Sequence, residues 1–318
     1  MGGRSGSKVL VTGGAGFIGS NLVERLVSDG HSVRVLDNFA TGHRGNLDAV
    51  IDDVELVEGD VQSYERAHRA VKGCDVVFHQ AAMPSVPRSV QDPLTSNSVN
   101  VIGTLNVLLA ARDEEVRRFV FASSSSLYGA NKELPKRESM STLPIAPYPV
   151  SKQAAESYCR AFSEVYDMET VCLRYFNVFG PKQDPASFYS AVIPKFATAI
   201  ASERPLTIHG DGEQSRDFTF IDNVVEANVL SASAPAQVSG QAFNIACGER
   251  ISLNTLVEEL ERIAGKKAIV EHVEPRPGDV PHSLADVSLA RELLSYEPTI
   301  GFREGLERTY EFYGRGPA

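Results

Sequence analysis

The chain is short of cysteine, of positive charge and of long apolar stretches, and each shortage excludes something. Its four cysteines, Cys74, Cys159, Cys172 and Cys247, are spaced too widely for a zinc cluster or a disulfide framework. Their apolar neighbours predict buried free thiols, and no metal is expected. Lysine and arginine number 31 against 41 aspartates and glutamates, a formal net charge of −10. That balance argues against nucleic acid or an anionic membrane surface as the main partner, while leaving room for a local basic pocket that holds an anion. No apolar run approaches the roughly 18 residues of a membrane span, and no apolar N-terminal segment resembles a secretory signal. A cytoplasmic location is therefore expected, and the Gly/Ser-rich opening "MGGRSGS" is set aside from the fold.

What is present is ordinary globular composition, 42% hydrophobic and 23% charged over 318 residues, with a strongly ordered grammar. "KVLVTG" is an apolar run ending in glycine; "FIGSNLVERLVSDG" repeats its apolar residues at helical spacing up to Gly30; "SVRVLD" reads as a second strand. The alternation continues through "VELVEGD", a helix near 61–72, "DVVFHQAA", a helix after Pro93, "RRFVFASS", a helix after Pro149 and a strand "TVCLRYFNVFG". Nearly all-apolar strands alternating with helices predict an α/β fold, a Rossmann-type doubly wound parallel sheet covered on both faces. After Gly180 the elements become short and mixed. The reading is a dinucleotide-binding domain over 8–180 and a smaller mixed α/β substrate domain over 181–318, with some late segments expected to return to the sheet.

"TGGAGFIG" sets Gly13, Gly16 and Gly19 between the first strand and first helix. Glycine suits that turn because its dihedrals are unusual, a pyrophosphate must come close to the backbone and the helix must pack near the strand. Asp37 ends the next strand, 18 residues after Gly19, where a carboxylate accepts hydrogen bonds from an adenosine ribose. It would repel a 2′-phosphate, so NAD is expected rather than NADP. Asp60 and Val61, after the third strand, are candidates for the adenine edge.

"FASSSSLYGAN" carries four consecutive serines that follow directly on an apolar strand, which places them at a strand end and not in a linker. Tyr148 and Lys152 stand four apart at the start of a helix, so both side chains rise from one face. An ammonium and an oxidised nicotinamide nearby would favour the phenolate and make Tyr148 a general base or acid. Ser124, from the neighbouring strand end, would hydrogen-bond the reacting oxygen.

Together "TGGAGFIG", "DNFATG", "HQAA", "SSSSLYG", "YPVSK", "LRYFNVFGPKQDP" and "SRDFTFIDN" resemble the extended short-chain dehydrogenase/reductase family, most closely its nucleotide-sugar 4-epimerases. The resemblance runs from Lys8 onward. It implies a catalytic set of Ser124, Tyr148 and Lys152, with Ser125 assisting: the tyrosine takes the proton of the sugar 4-hydroxyl, hydride leaves C4 to give a transient 4-keto sugar, and the lysine binds the nicotinamide ribose. Cofactor contacts implied are Phe17 and Ile18 at the glycine loop, Asp37, Asn38, Phe39, Ala40, Thr41 and Gly42 after the second strand, then Asp60 and Val61. Gln80, Ala81, Ala82, Met83 and Pro84, with Asn100 and Phe176, complete them. For Phe17, Ile18 and Phe176, plain core packing of the side chain is the alternative.

For the UDP end, the resemblance implies Asn177, Val192, Arg216, Arg276 and Asp279, the two arginines offering forked donors to a diphosphate. Sugar contacts implied are Ser85 and Ser283, the latter small enough to leave room for an N-acetyl group. UDP-N-acetylglucosamine and UDP-N-acetylgalactosamine are thus the expected pair, with UDP-glucose and UDP-galactose open and UDP-glucuronate an alternative. A dehydratase or decarboxylase of the family is disfavoured because Ser125, Ser126 and Leu127 stand where those relatives carry a carboxylate. A non-catalytic NAD-sensing protein would not need Tyr148 and Lys152. A homodimer through the helix after Pro93 and the Lys152 helix is expected, the apolar "VIGTLNVLLAA" supplying a stripe.

Overall fold

A computed structural model of the chain describes residues 6–184, 192–275 and 281–314. Apolar runs of five to seven residues form the first strands: β1 (Lys8–Thr12), β2 (Ser32–Asp37), β3 (Val54–Glu58), β4 (Val76–His79), β5 (Arg118–Ser124) and β6 (Glu169–Tyr175), β4 being shorter at four. Between them run α1 (Phe17–Ser28), α2 (Tyr64–Val71), α3 (Val86–Gln91), α4 (Pro93–Asn97), α5 (Thr104–Asp113) and α6 (Pro147–Tyr166). A turn of π-helix, Ser98–Gly103, joins α4 to α5.

The later chain adds short strands β7 (Val178–Phe179), β8 (Leu206–His209), β9 (Ser215–Arg216) and β10 (Thr219–Phe220), then β11 (Gln241–Ile245), β12 (Ile251–Ser252) and β13 (Val270–Val273). Its helices are α7 (Val192–Ala201), α8 (Ile221–Ser233), α9 (Leu253–Ala264), α10 (Ser288–Leu294) and α11 (Phe302–Gly314).

Seven strands form one sheet in the order β11-β6-β5-β4-β1-β2-β3, every neighbouring pair parallel. The order reverses direction at β1, so a crevice opens beyond Thr12 and His79, the place where such sheets bind ligands. Because side chains alternate along a strand, each face has its own core. Val9, Val11, Val33, Val35, Val120 and Val171 face α1 and α8; Leu10, Leu36, Val77, Phe119, Phe121 and Cys172 face α2, α5 and α6.

Cys74, Cys159 and Cys172 are buried and Cys247 is half-buried, all four as thiols. The helical stretch Pro93–Asp113 is long and apolar enough, by length and composition, to cross a bilayer; half of it is buried in the protein, where α5 packs against α2 and α6. β11 pairs with β6 although it lies after residue 180, so the later chain contributes both to the sheet and to a second lobe. That lobe holds β8 with β13, β9 with β12 and helices α7, α9 and α11.

The expected single strand "TVCLRYFNVFG" is instead broken between β6 and β7. Asn177 takes a left-handed φ of 33°, a conformation asparagine tolerates because its short amide bonds locally.

Candidate active site

A cavity of about 610 Å³ runs along the C-terminal edge of the sheet, from the end of β2 to the start of α6. At its floor Gly13 has φ 67°, and a Cβ there would lie 2.7 Å from the Ala81 backbone; one on Gly19 would lie 2.1 Å from the Gly13 carbonyl oxygen. Only glycine permits this close approach of turn, strand and helix. The first intrahelical bond of α1 is donated by Ser20 N to Gly16 O at 2.9 Å, which leaves the N–H groups of Phe17, Ile18 and Gly19 at the positive helix end beside the cavity. Asp37, buried at 7% exposure, accepts from Ala15 N at 2.9 Å and Phe39 N at 2.8 Å. A carboxylate offers about four lone-pair sites, so acceptor capacity remains for ribose hydroxyls. Asn38 donates to Asp60 at 2.7 Å, tying the β2 and β3 ends into one wall. Glycine cradle, helix end and carboxylate together fit an adenine dinucleotide.

At the other end Lys152 is buried and donates to Ala122 O at 2.8 Å, with its ammonium 4.8 Å from the centre of the Phe121 ring. Burial pulls its pKa down to about 8. Tyr148 projects its phenol into the cavity; burial pushes its pKa up, and a hydrogen bond with Ser124 draws it partway back. In the chain by itself burial is the larger influence on Tyr148, and the Lys152 ammonium is turned to the Ala122 carbonyl. Asn100, in the π turn, accepts from Met83 N at 2.7 Å and donates to Ser151 Oγ at 2.9 Å, locking the loop after β4 to α6. Such turns recur at functional sites because they redirect a side chain within a helix. Ser85 is held at φ 93°, a sparsely populated conformation that costs about 1–3 kcal/mol, at the cavity wall.

A second cavity, about 330 Å³, opens in the other lobe between α7, β8 and β9, lined by Asn177, Val192 and Arg216. Asn177 donates to Asp217 O at 3.0 Å and to Ser283 Oγ at 3.2 Å. Asp217 is fully buried and accepts from the N–H groups of Cys247, Gly248 and Ala285, which fastens the turn after β11 and the segment at Ala285 to its own strand end. Burial raises its pKa to about 6.

The structure brings Gly13, Gly16, Phe17, Ile18, Gly19, Asp37, Asn38, Ala40, Thr41, Asp60, Val61, Gln80 to Ser85, Tyr148 and Lys152 to the first cavity. Phe39, Gly42 and Asn100 do not line it, but Phe39 N bonds Asp37 and Asn100 bonds Met83, both of which do. A Cβ on Gly42 would meet the Ala15 carbonyl carbon at 2.8 Å. The Phe176 side chain takes the core-packing alternative: it is 1% exposed and clusters with Tyr128, Ala246, Ala285 and Val287, while its neighbour Tyr175 lines the cavity. The chain break after β6 decides which of the two faces the cavity, and no spacing in the sequence signals it. Ser124, at the end of β5, and Ser125, which opens a 3-10 turn (Ser125–Tyr128), do not line either cavity, although Ser124 hydrogen-bonds Tyr148, which does; Ser123, passed over in the sequence, lines the first. Arg276 and Asp279 lie outside the described residues.

The model of the NAD-dependent epimerase/dehydratase family matches residues 9–246. A UDP-glucose 4-epimerase of Mycolicibacterium smegmatis is 38% identical over 96% of this chain and 98% of its own. Among solved structures, a UDP-N-acetylglucosamine 4-epimerase from Methanobrevibacter ruminantium M1, in complex with UDP-N-acetylmuramic acid, superposes with a TM-score of 0.93 at 38% identity, covering 98% of this chain and 99% of that one. A UDP-glucose 4-epimerase of Thermus thermophilus, in complex with NAD, superposes with a TM-score of 0.89 at 36% identity, covering 98% and 100%. With a family match over most of its length and relatives aligned end to end, the chain belongs to the NAD-dependent epimerase/dehydratase family.

Proposed function

We propose that this chain interconverts the C4 epimers of a UDP-hexose with NAD as its cofactor. The observation that carries the reading is the meeting of Tyr148 and Lys152 at one end of a cavity whose other end is walled by Asp37 and the glycine turn, with Ser124 hydrogen-bonded to the Tyr148 phenol. Bound NAD would supply the acceptor for the C4 hydride and its donor on return. Asp37 and the start of α1 would hold the adenosine and pyrophosphate, and Lys152 the nicotinamide ribose. Ser124 orients the sugar O4 by a hydrogen bond; Tyr148 takes the O4 proton and gives it back once the sugar has presented its other face. Arg216 and Asn177, in the second cavity, anchor the diphosphate end, with Arg276 and Asp279 assigned to the same end. A firm grip on the nucleotide and a loose one on the sugar is what the turn of the sugar requires. Dehydration would need a further acid or base, and the turn after Ser124 offers only Ser125, Ser126 and Leu127.

Among the hexoses we assign UDP-N-acetylglucosamine and UDP-N-acetylgalactosamine. Ser283 is small and accepts from Asn177, which lines the second cavity, so a bulky residue in its place would crowd that wall. The likeness to the M. ruminantium enzyme supports this choice; the M. smegmatis relative, equally identical at 38%, favours a second reading as a UDP-glucose enzyme. NMR of the purified enzyme with UDP-N-acetylglucosamine, UDP-glucose and UDP-glucuronate separates them. Conversion of the acetylated sugar, suppressed selectively in Ser283→Tyr, is the expected result; rejection of it by the wild type overturns the assignment. A product lacking the C6 hydroxyl overturns the epimerase reading itself. The four free thiols agree with a reducing cytoplasm. A homodimer through α4, α5 and α6 belongs to the same reading, supported by the exposed apolar side chains Leu94, Ile102, Val150 and Val165 on the helical faces involved.

A further inference from the structure

Beneath the serine turn lies a buried polar network whose members the reaction described above does not use. Ser123 Oγ donates to Glu156 Oε2 at 2.6 Å. Arg174 closes on the same carboxylate, Nη2 to Oε1 at 2.6 Å and Nε to Oε2 at 3.1 Å. Its third nitrogen, Nη1, donates to Tyr128 OH at 2.9 Å, and that phenol donates onward to Asn244 Oδ1 at 2.7 Å. The side chains are 15% exposed for Glu156 and 7% for Arg174. Tyr128 and Asn244 are buried completely or nearly so.

The placement follows from two periodicities. Glu156 stands one turn beyond Lys152 on α6, as Lys152 does beyond Tyr148, so one helix face carries all three. Ser123 and Arg174 are register partners on β5 and β6, so both point to that face. Ser124 then heads a turn held at both ends. Its preceding residue is bonded to Glu156, and the last residue of the turn, Tyr128, is bonded to the arginine that the same carboxylate holds. Within the turn Ser124 Oγ accepts from Ser126 N at 3.2 Å and pairs with Ser126 Oγ at 2.8 Å. The far arm ends at the substrate lobe: Asn244 Nδ2 donates to Lys136 O at 2.9 Å, and Lys136 N donates to Leu284 O at 2.8 Å, next to Ser283.

We infer that Glu156 is a positioning residue for the reaction: through Ser123, Arg174 and Tyr128 it fixes the turn that aims the Ser124 hydroxyl. This rests on the reading of Ser124 as the hydroxyl that orients the sugar oxygen. A carboxylate gripped by three donors in a buried site has one geometry, and displacement of the turn by an ångström is enough to spoil an attacking or orienting contact.

The test is a double-mutant cycle between Glu156→Gln and Ser124→Ala, read as kcat, KM for the UDP-sugar turned over and NAD content. Expected is a kcat lower by roughly 10- to 100-fold in Glu156→Gln, with KM and NAD content held within about 2-fold. In the Ser124→Ala background the same change costs less than about 3-fold, because the group it positions is gone. Equal losses in both backgrounds, or a loss that appears in KM or NAD content instead, overturn the positioning role. Full turnover in Ser124→Ala alone overturns instead the reading of Ser124. Should Glu156→Gln fail to fold, Ser123→Ala keeps the ion pair intact and carries the same cycle: a fall in kcat that vanishes in the Ser124→Ala background supports the inference, and an additive or absent effect overturns it.

Discussion

Tyr148 shows what burial does to a single group: its phenol is harder to ionise than a free tyrosine, and a hydrogen bond with Ser124 eases it. Replacing Tyr148 by Phe removes the proton carrier while keeping the ring. Turnover should fall by on the order of 10²-fold or more, with NAD and UDP affinity nearly unchanged by calorimetry; near-normal turnover would remove Tyr148 from the mechanism. His79 offers a second residue-level outcome. It lies buried between Thr12 at 2.7 Å and Thr104 at 3.0 Å, and burial, with the Lys152 ammonium adding, pulls its pKa down to about 3. Between its unfolded pKa of about 6.5 and the folded value, the unfolded chain binds the extra proton, so stability falls as the pH falls through that window, by up to about 1.4 kcal/mol per pH unit. His79→Gln should flatten the fall. Urea midpoints measured from pH 7 to pH 4 would run parallel in the two proteins if His79 did not contribute. The residue types at most site positions were legible in the sequence, whereas Ser123 and Tyr175 were not, since which of two adjacent residues meets the cavity depends on where a strand ends.

At the scale of elements, the glycine turn joins β1 to α1 at contact distance. Gly19 is buried in the first turn of α1, and a methyl group there would overlap the Gly13 carbonyl. Gly19→Ala should therefore push the helix off the strand, costing about 1–3 kcal/mol in stability. NAD released from the denatured variant should drop well below one per chain, whereas a variant that keeps full cofactor content and wild-type melting would show that the close packing is dispensable. The strand-helix grammar to Gly180 was readable because fully buried parallel strands are apolar on both faces. The break at Asn177 was not readable: the residues on either side are apolar and strand-like, and the contacts that offset the interruption, among them those of the Asn177 amide with Asp217 and Ser283, come from distant segments.

For the whole molecule, the proposed homodimer is the outcome to measure. Leu94 is 83% exposed, Val165 68% and Val150 51%, a cost to a lone chain in water. Light scattering at micromolar concentration should give twice the chain mass, and Leu94→Glu should shift it toward one chain without altering the circular dichroism. A wild type that scatters as a single chain would reject the interface. The sequence by itself determined the class of fold, the dinucleotide turn with its acidic partner and the tyrosine-lysine pair, because each rests on spacing within a strand or a helical turn. Only the tertiary structure decided that β11 joins the main sheet, that Tyr175 and not Phe176 faces the cavity, and that Glu156 and Arg174 close beneath the serine turn. Those facts depend on segments far apart in the chain meeting through packing, and no local periodicity encodes which distant partner a buried carboxylate will find.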